Sequence, residues 1–119
     1  MARSRQANMH APHAQTFAAA AETFAMLASP SRLHLLWLLA QGERDVTALA
    51  ACLSASGPAI SQHLAKLRLA GLVSAQRDGK RQVYRVDDPH IVTLVMQAVE
   101  HHEELAERRP ARGGRRSTQ

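Results

Sequence analysis

Two short helix-forming segments followed at once by a hairpin signal constrain the fold of this chain more than any other feature. The first segment, 46–53, is rich in alanine and leucine, and the second opens at Gly57-Pro58 and runs to residue 70. Proline suits the first turn of a helix, and the short turn between the segments is typical of a helix-turn-helix. Asp78-Gly79 then separates two strand-like runs, 72–77 and 82–86, which is a strong hairpin signal. This order predicts a winged helix-turn-helix with a two-stranded β wing.

Further helices are predicted on both sides of this unit. An alanine-rich run over 15–27 favours a helix, and Ser29-Pro30 supplies an N-cap and a first-turn proline for a helix over 31–41. That second helix is apolar nearly all round, so we expect it at the centre of the core. Pro89 opens a long C-terminal helix. We therefore expect a mostly helical α+β domain over 15–107, with dimerisation helices at its N- and C-terminal ends, between a flexible arm at 1–14 and a disordered basic tail at 108–119.

Length and composition narrow the class of protein. A chain of 119 residues supports one domain, and domains of this size often gain stability by forming dimers. No stretch approaches the ~20 apolar residues of a membrane span, and the N-terminus lacks the apolar region of a secretory signal. The single cysteine, Cys52, cannot form an internal disulfide. A cytoplasmic protein is expected, with Cys52 as a packed small residue.

Charge is distributed unevenly along the chain. The net charge is +5, and it equals the contribution of five arginines in the acid-free tail, Arg108, Arg109, Arg112, Arg115 and Arg116. Six basic residues and one acid lie between Lys66 and Arg85, whereas 87–107 holds six acids and no lysine or arginine. One region is therefore suited to phosphates and the other to cations.

The helix predicted over 57–70 has the character of a DNA recognition helix. Its apolar residues should face the core, which leaves short hydrogen-bonding side chains near its start for base edges in the major groove, while cations on the helix and wing suit phosphates. Each candidate could instead be an ordinary solvated residue, and His63 could be a buried histidine bonded to the helix backbone. With four aromatic residues in the chain, base-stacking recognition of single strands is not expected. The predicted double-stranded DNA contacts are Ser56, Ser61, Gln62, His63, Lys66, Arg77, Lys80 and Arg81.

The C-terminal helix carries a second pattern. His90 and His101 are eleven residues apart, or about three turns, so both lie on one line of the helix surface, and Glu104 follows one turn later. They are separated by about 16 Å along the axis, so they cannot bind one metal ion within a single helix. If two such helices pack antiparallel about a two-fold axis, Asp88 and His90 of one chain meet His101 and Glu104 of the other. Two imidazoles and two carboxylates would suit zinc.

Simpler interpretations of these four residues remain open on the sequence geometry alone. Asp88 before Pro89 is an ordinary helix N-cap. A histidine on the flank of a helix is usually solvated, and Glu104 could be one more charge in an acid-rich segment.

Three motifs extend the interpretation. They are Leu27-Ala28-Ser29-Pro30-Ser31-Arg32-Leu33, the run Ser61-Gln62-His63-Leu64-Ala65-Lys66-Leu67-Arg68-Leu69-Ala70-Gly71-Leu72-Val73, and Asp88-Pro89-His90 with His101 and Glu104. Through them, residues 24–104 resemble the ArsR/SmtB family of dimeric winged-helix metal-sensing repressors. The last motif is similar to the zinc site that this family forms between subunits. The resemblance implies a homodimer that binds palindromic operator DNA and is released by zinc, with nickel or cobalt as alternatives.

One departure from the family pattern and one further similarity refine this expectation. Members that sense thiophilic metals carry a Cys-x-Cys motif in a region that here reads Arg44-Asp45-Val46-Thr47, so sensing of arsenic, cadmium or lead through that site is not expected. The chain is also similar to actinobacterial nickel and cobalt sensors of the family, which recruit extra histidines. Candidates for that role are His10, His13 and His102, although His102 is expected to pack in the apolar stripe of the C-terminal helix.

Two other functions compete with a metal-responsive repressor. One is a metal-independent architectural protein that binds DNA through its basic tail without regard to sequence. The other is a small zinc hydrolase, but all four predicted ligands would be occupied by the metal, and catalytic zinc sites usually keep one position open.

Overall fold

A computed structural model describes residues 11–109 of the chain. The elements are α1 (Ala14–Leu27), α2 (Pro30–Gln41), β1 (Arg44–Asp45), α3 (Val46–Leu53), α4 (Gly57–Leu69), β2 (Ser74–Asp78), β3 (Arg81–Arg85) and α5 (Pro89–Glu107). The predicted winged helix-turn-helix is confirmed: α3 and α4 form the helix-turn-helix, and β2 and β3 form the wing. Most of the predicted arm (1–14) and basic tail (108–119) lies outside the described residues.

Local side-chain caps explain why several helices begin where the sequence predicts. The Ser29 hydroxyl accepts a hydrogen bond from the Arg32 N–H at 3.3 Å, and the Ser56 hydroxyl accepts one from the Ala59 N–H at 3.2 Å. The Asp45 carboxylate accepts one from the Ala48 N–H at 2.9 Å. Each cap satisfies a backbone donor that the first turn of a helix leaves without a partner.

The core is centred on α2, as its apolar composition predicts. Four of its leucines are buried: Leu35, Leu36, Leu38 and Leu39. They belong to one apolar cluster with residues from α3, α4 and α5, among which Leu49, Leu64 and Val95 are at most 1% exposed. The helix-turn-helix formed by α3 and α4 and the C-terminal helix therefore share one close-packed core.

The sheet has three antiparallel strands in the order β1-β3-β2. The hairpin closes at the pair Asp78↔Arg81, and Gly79 takes φ +68° at the first of the two turn residues, as a type II′ turn requires. The predicted two-stranded wing is confirmed, and the sheet has a third strand that the sequence did not predict, because β1 pairs with β3 at Arg44↔Tyr84 and Asp45↔Val83. Two residues are too short to give the alternation that marks a strand.

Two packing predictions were wrong for the single chain. Cys52 is exposed, because α3 turns Leu49 and the half-buried Leu53 toward the core and leaves Cys52 to one side. His102 is also exposed. The apolar stripe of α5 divides, since Ile91 and Val95 are buried while Leu94 and His102 face outward.

Candidate DNA interface and metal centre

α4 presents a polar face to solvent, as predicted for a recognition helix. Its buried residues are Ile60, Leu64 and Leu67, and the exposed ones include Ser61, Gln62 and Lys66. The 3.6-residue period of the helix separates these two sets onto opposite faces. Three of the predicted DNA contacts are thus accessible together on one surface.

The remaining two candidates near α4 have other constraints. Ser56 is exposed, but its hydroxyl is already used as the N-cap of α4. His63 is half-buried, and its Nδ1 is buried without a hydrogen-bond partner among the described residues. The alternative in which His63 bonds to the helix backbone through Nδ1 is therefore not observed.

The wing cations are not equivalent. Arg77 and Lys80 are exposed, and neither forms an ion pair within the described part of the chain. Arg81 instead forms two ion pairs, from Nη1 to Asp45 Oδ2 at 3.0 Å and from Nη2 to Asp78 Oδ2 at 3.1 Å. Hydrogen bonds to Asp78 and then to Asp45 raise the pKa of Arg81 above its usual value. The predicted DNA contact at Arg81 is therefore engaged with the protein itself.

At the start of α5, Asp88 is an N-cap and also a neighbour of His90. Its Oδ1 accepts a hydrogen bond from the His90 N–H at 2.9 Å and lies 3.2 Å from His90 Nδ1. The His90 side chain is 91% exposed. The capping interpretation is thus observed, and it also places a carboxylate and an imidazole side by side at an accessible helix end.

At the other end of α5, His101 and Glu104 are both exposed. The His101 ring lies edge-on to the His102 ring, with centroids 5.0 Å apart. Within residues 11–109, no three His, Cys, Asp or Glu side chains come together closely enough to hold a metal ion. One chain therefore does not assemble the four predicted ligands. His13 lies just before α1, and His10 is outside the described residues.

An apolar groove lies between α1 and α5. Its lining includes Phe24, Leu27, Leu94 and Ala98, with His101 and His102 also at its wall. Phe24 is 56% exposed and Leu94 is 39% exposed, and Phe17 on α1 is 62% exposed. Helical periodicity does not reveal this groove, because the apolar residues of α5 form a single stripe in the sequence. Large apolar side chains grouped on a surface mark an interaction site.

Among the described residues, no helix combines the length and apolar character needed to cross a bilayer.

Comparison with known proteins links this architecture to a family. Residues 29–75 match the family described as "Bacterial regulatory protein, arsR family". The HTH-type transcriptional regulator KmtR of Mycobacterium tuberculosis is 46% identical over 78 residues, which are 66% of this chain and 60% of that protein. The matched part of the chain thus spans less than two thirds of the length of KmtR.

A longer match and a solved structure extend the comparison. The HTH-type transcriptional regulator NmtR of the same organism is 38% identical over 103 residues, covering 83% of this chain and 86% of that protein. The solution structure of a homodimeric winged helix-turn-helix DNA-binding domain from Mycobacterium bovis is 33% identical, with a TM-score of 0.70. That likeness covers 84% of this chain and 95% of the other.

Proposed function

The chain belongs to the ArsR family of bacterial regulatory proteins, and we propose that it is a homodimeric transcriptional repressor whose hold on operator DNA is weakened by a metal ion. The observation that carries the proposal is the accessible polar face of α4 in a helix-turn-helix flanked by the exposed wing cations Arg77 and Lys80. The relatives are transcriptional regulators and not enzymes, so the zinc hydrolase is set aside.

Different residues on this surface would contact the bases and the phosphates of DNA. Ser61 and Gln62 lie in the first half of α4, where short polar side chains reach base edges in the major groove. Lys66 near the end of α4 and the exposed wing residues Arg77 and Lys80 supply charge for phosphates. Base contacts would set specificity, and phosphate contacts would set register and most of the affinity.

Dimerisation is supported by the apolar groove between α1 and α5. Phe17 and Phe24 are more than half exposed in the single chain, and a second copy would remove them from water. The homodimeric Mycobacterium bovis domain has the same fold. A symmetric dimer would also present two recognition helices to the two halves of a palindromic operator.

The chemistry of the donors at both ends of α5 fits a metal ion. Asp88 and His90 offer a carboxylate and an imidazole at the first end, and His101 and Glu104 offer the same pair at the second. The two ends are about 16 Å apart in one helix, so a complete set of four needs the antiparallel α5 of a second copy. Two nitrogens and two oxygens suit zinc, with nickel or cobalt as alternatives. A bound ion would supply a fixed link between the two α5 helices.

Packing within each chain offers a route from α5 to the DNA surface. Ile91 and Val95 of α5 and Leu64 of α4 belong to the same core cluster, which is built on α2. Because close-packed cores shift as units, a change in the spacing of the α5 helices would change the spacing of the α4 helices. Metal and DNA affinity would then oppose each other through one coupling energy, typically about 1–3 kcal/mol.

The repressor function is tested by titrating a protein–operator complex with zinc, nickel and cobalt in separate experiments. At least one metal should release the DNA, and His101→Ala should keep its DNA affinity while losing this response. His34→Ala is the matched control, since His34 is an exposed histidine on α2 outside the proposed ligand set, and it should respond like wild type. If no metal weakens binding while footprinting gives uniform protection, the metal-independent architectural protein is correct.

A mixed dimer tests whether the metal site is shared between chains. His90→Ala and His101→Ala homodimers should both lose metal affinity, because every site in each contains a substituted ligand. When the two variants are mixed, each heterodimer regains one intact site, formed by His90 of one chain and His101 of the other. Equilibrium dialysis should recover about one metal ion per heterodimer. No recovery would contradict a shared site.

A further inference from the structure

Asp45 uses its two carboxylate oxygens for two different elements. Oδ1 accepts a hydrogen bond from the Ala48 N–H at 2.9 Å and caps α3, while Oδ2 lies 3.0 Å from Arg81 Nη1 on the wing strand β3. The Asp45 side chain is only 18% exposed, compared with 71% for Asp78, the other partner of Arg81. The sheltered ion pair is therefore the one that connects the wing to the helix-turn-helix.

The backbone around Asp45 is held from both sides. Asp45 pairs with Val83 in the sheet, and the Arg44 Nε donates a hydrogen bond to the Leu38 carbonyl oxygen at the end of α2, at 3.3 Å. A carboxylate on β1 is thus fixed relative to α2 and α3, and the guanidinium that it binds is fixed with it. An ion pair between side chains already held in place loses little further conformational entropy on forming.

We propose that Asp45 is a positioning residue for DNA binding, which acts through Arg81 to hold the wing at a fixed angle to α3 and α4. With the wing held, Arg77 and Lys80 reach the DNA backbone while α4 lies in the major groove. Arg81 is then a tether within the protein and not a phosphate contact. The inference rests on the proposed function, and it replaces the role that the sequence predicted for Arg81.

The direction in which one substitution changes DNA affinity distinguishes a tether from a phosphate contact. Asn caps a helix about as well as Asp, so Asp45→Asn removes the charge and keeps the cap of α3. Asp78→Asn is the matched control, because it removes an equal negative charge at the exposed end of the hairpin. Affinity is measured at one salt concentration for a duplex that the wild-type protein selects from a random-sequence pool. Asp45→Asn should weaken binding about fivefold, within the usual range for coupled neighbours, and Asp78→Asn should not weaken it.

The opposite result would overturn the tether. If Arg81 contacts a phosphate, Asp45→Asn frees it and adds net positive charge, so binding should tighten as it does in Asp78→Asn. If Arg81 is a tether, Arg81→Gln should weaken binding to the same degree as Asp45→Asn. The double variant should then bind no more weakly than either single variant. Additive losses would also contradict the tether.

A background without the free wing cations distinguishes positioning from a general loss of structure. In an Arg77→Gln, Lys80→Gln protein, the wing has little left to position, so adding Asp45→Asn should change affinity by less than about twofold. An unchanged fivefold loss there would show that the effect does not pass through the wing. If the wild-type protein selects no duplex at all, the proposed function is wrong, and so is the role of Asp45 in DNA binding.

Discussion

The helix-turn-helix and wing differ from the α1/α5 end of the molecule in how many of their side chains are buried or paired within one chain. In α3, α4 and the wing, apolar side chains such as Leu49 and Leu64 are fully buried, and Arg81 has both of its acidic partners within 3.1 Å. At the other end, Phe17 and Phe24 are more than half exposed. Residues of the helix-turn-helix and wing are fixed within the chain, and residues that the proposed dimer would cover remain exposed in the single chain.

The same contrast appears in the charged groups. The wing pairs opposite charges from β1, β2 and β3 across short distances, whereas the proposed ligands His90 and His101 are held about 16 Å apart by the rise of one helix. A rigid helix keeps its two ends apart in a way that a hairpin does not. The α5 donors can therefore meet only across a symmetry axis.

The largest effect on stability should come from opening a cavity in the core beneath the helix-turn-helix. Leu64→Ala removes a fully buried side chain, so the free energy of unfolding should fall by about 2–5 kcal/mol. Leu69 lies at the end of the same helix and is 90% exposed, so Leu69→Ala should change the free energy of unfolding by less than about 0.5 kcal/mol. Urea denaturation at one fixed protein concentration measures both. Similar losses in the two variants would show that the two positions do not differ in burial.

A charge in the uncovered groove should separate the copies without unfolding the chain. Leu94→Glu places a carboxylate on the proposed dimer face, so sedimentation velocity should show a monomer. Operator affinity should fall by about 100-fold, since the two recognition helices are no longer linked. Leu69→Glu introduces the same charge at an exposed leucine outside the groove and should remain a dimer. If Leu94→Glu also remains a dimer, this groove is not the interface.

The smallest effect concerns acid stability at the wing. The hydrogen bond from the Ala48 N–H, and to a lesser extent Arg81, lowers the pKa of Asp45, against an opposing contribution from its partial burial. A carboxyl whose pKa is lowered in the folded state stabilises the fold when the pH is above its usual pKa near 4. This contribution is lost as the pH falls through the lowered pKa of the folded state. Thermal unfolding should thus show a shallower loss of stability below about pH 4 in Asp45→Asn than in wild type. Parallel curves would contradict this.

Local sequence accounts for the helices, the hairpin and the candidate residues of both surfaces. Ser29-Pro30, Asp45, Ser56 and Asp88 act on the backbone of their own helices, so the positions at which α2, α3, α4 and α5 begin could be inferred from neighbouring residues alone. The helical period likewise placed Ser61, Gln62 and Lys66 away from the core.

Other features depend on contacts between residues distant in sequence, so they appear only in the folded chain. Strand β1 exists only because β3 lies beside it, and the exposed Arg81 side chain pairs with Asp45, 36 residues earlier in the chain. The division of the α5 stripe depends on α2, which covers Ile91 and Val95 and leaves Leu94 and His102 outside. Sequence periodicity identifies an apolar face, but only the packing partner determines how wide a part of that face is buried.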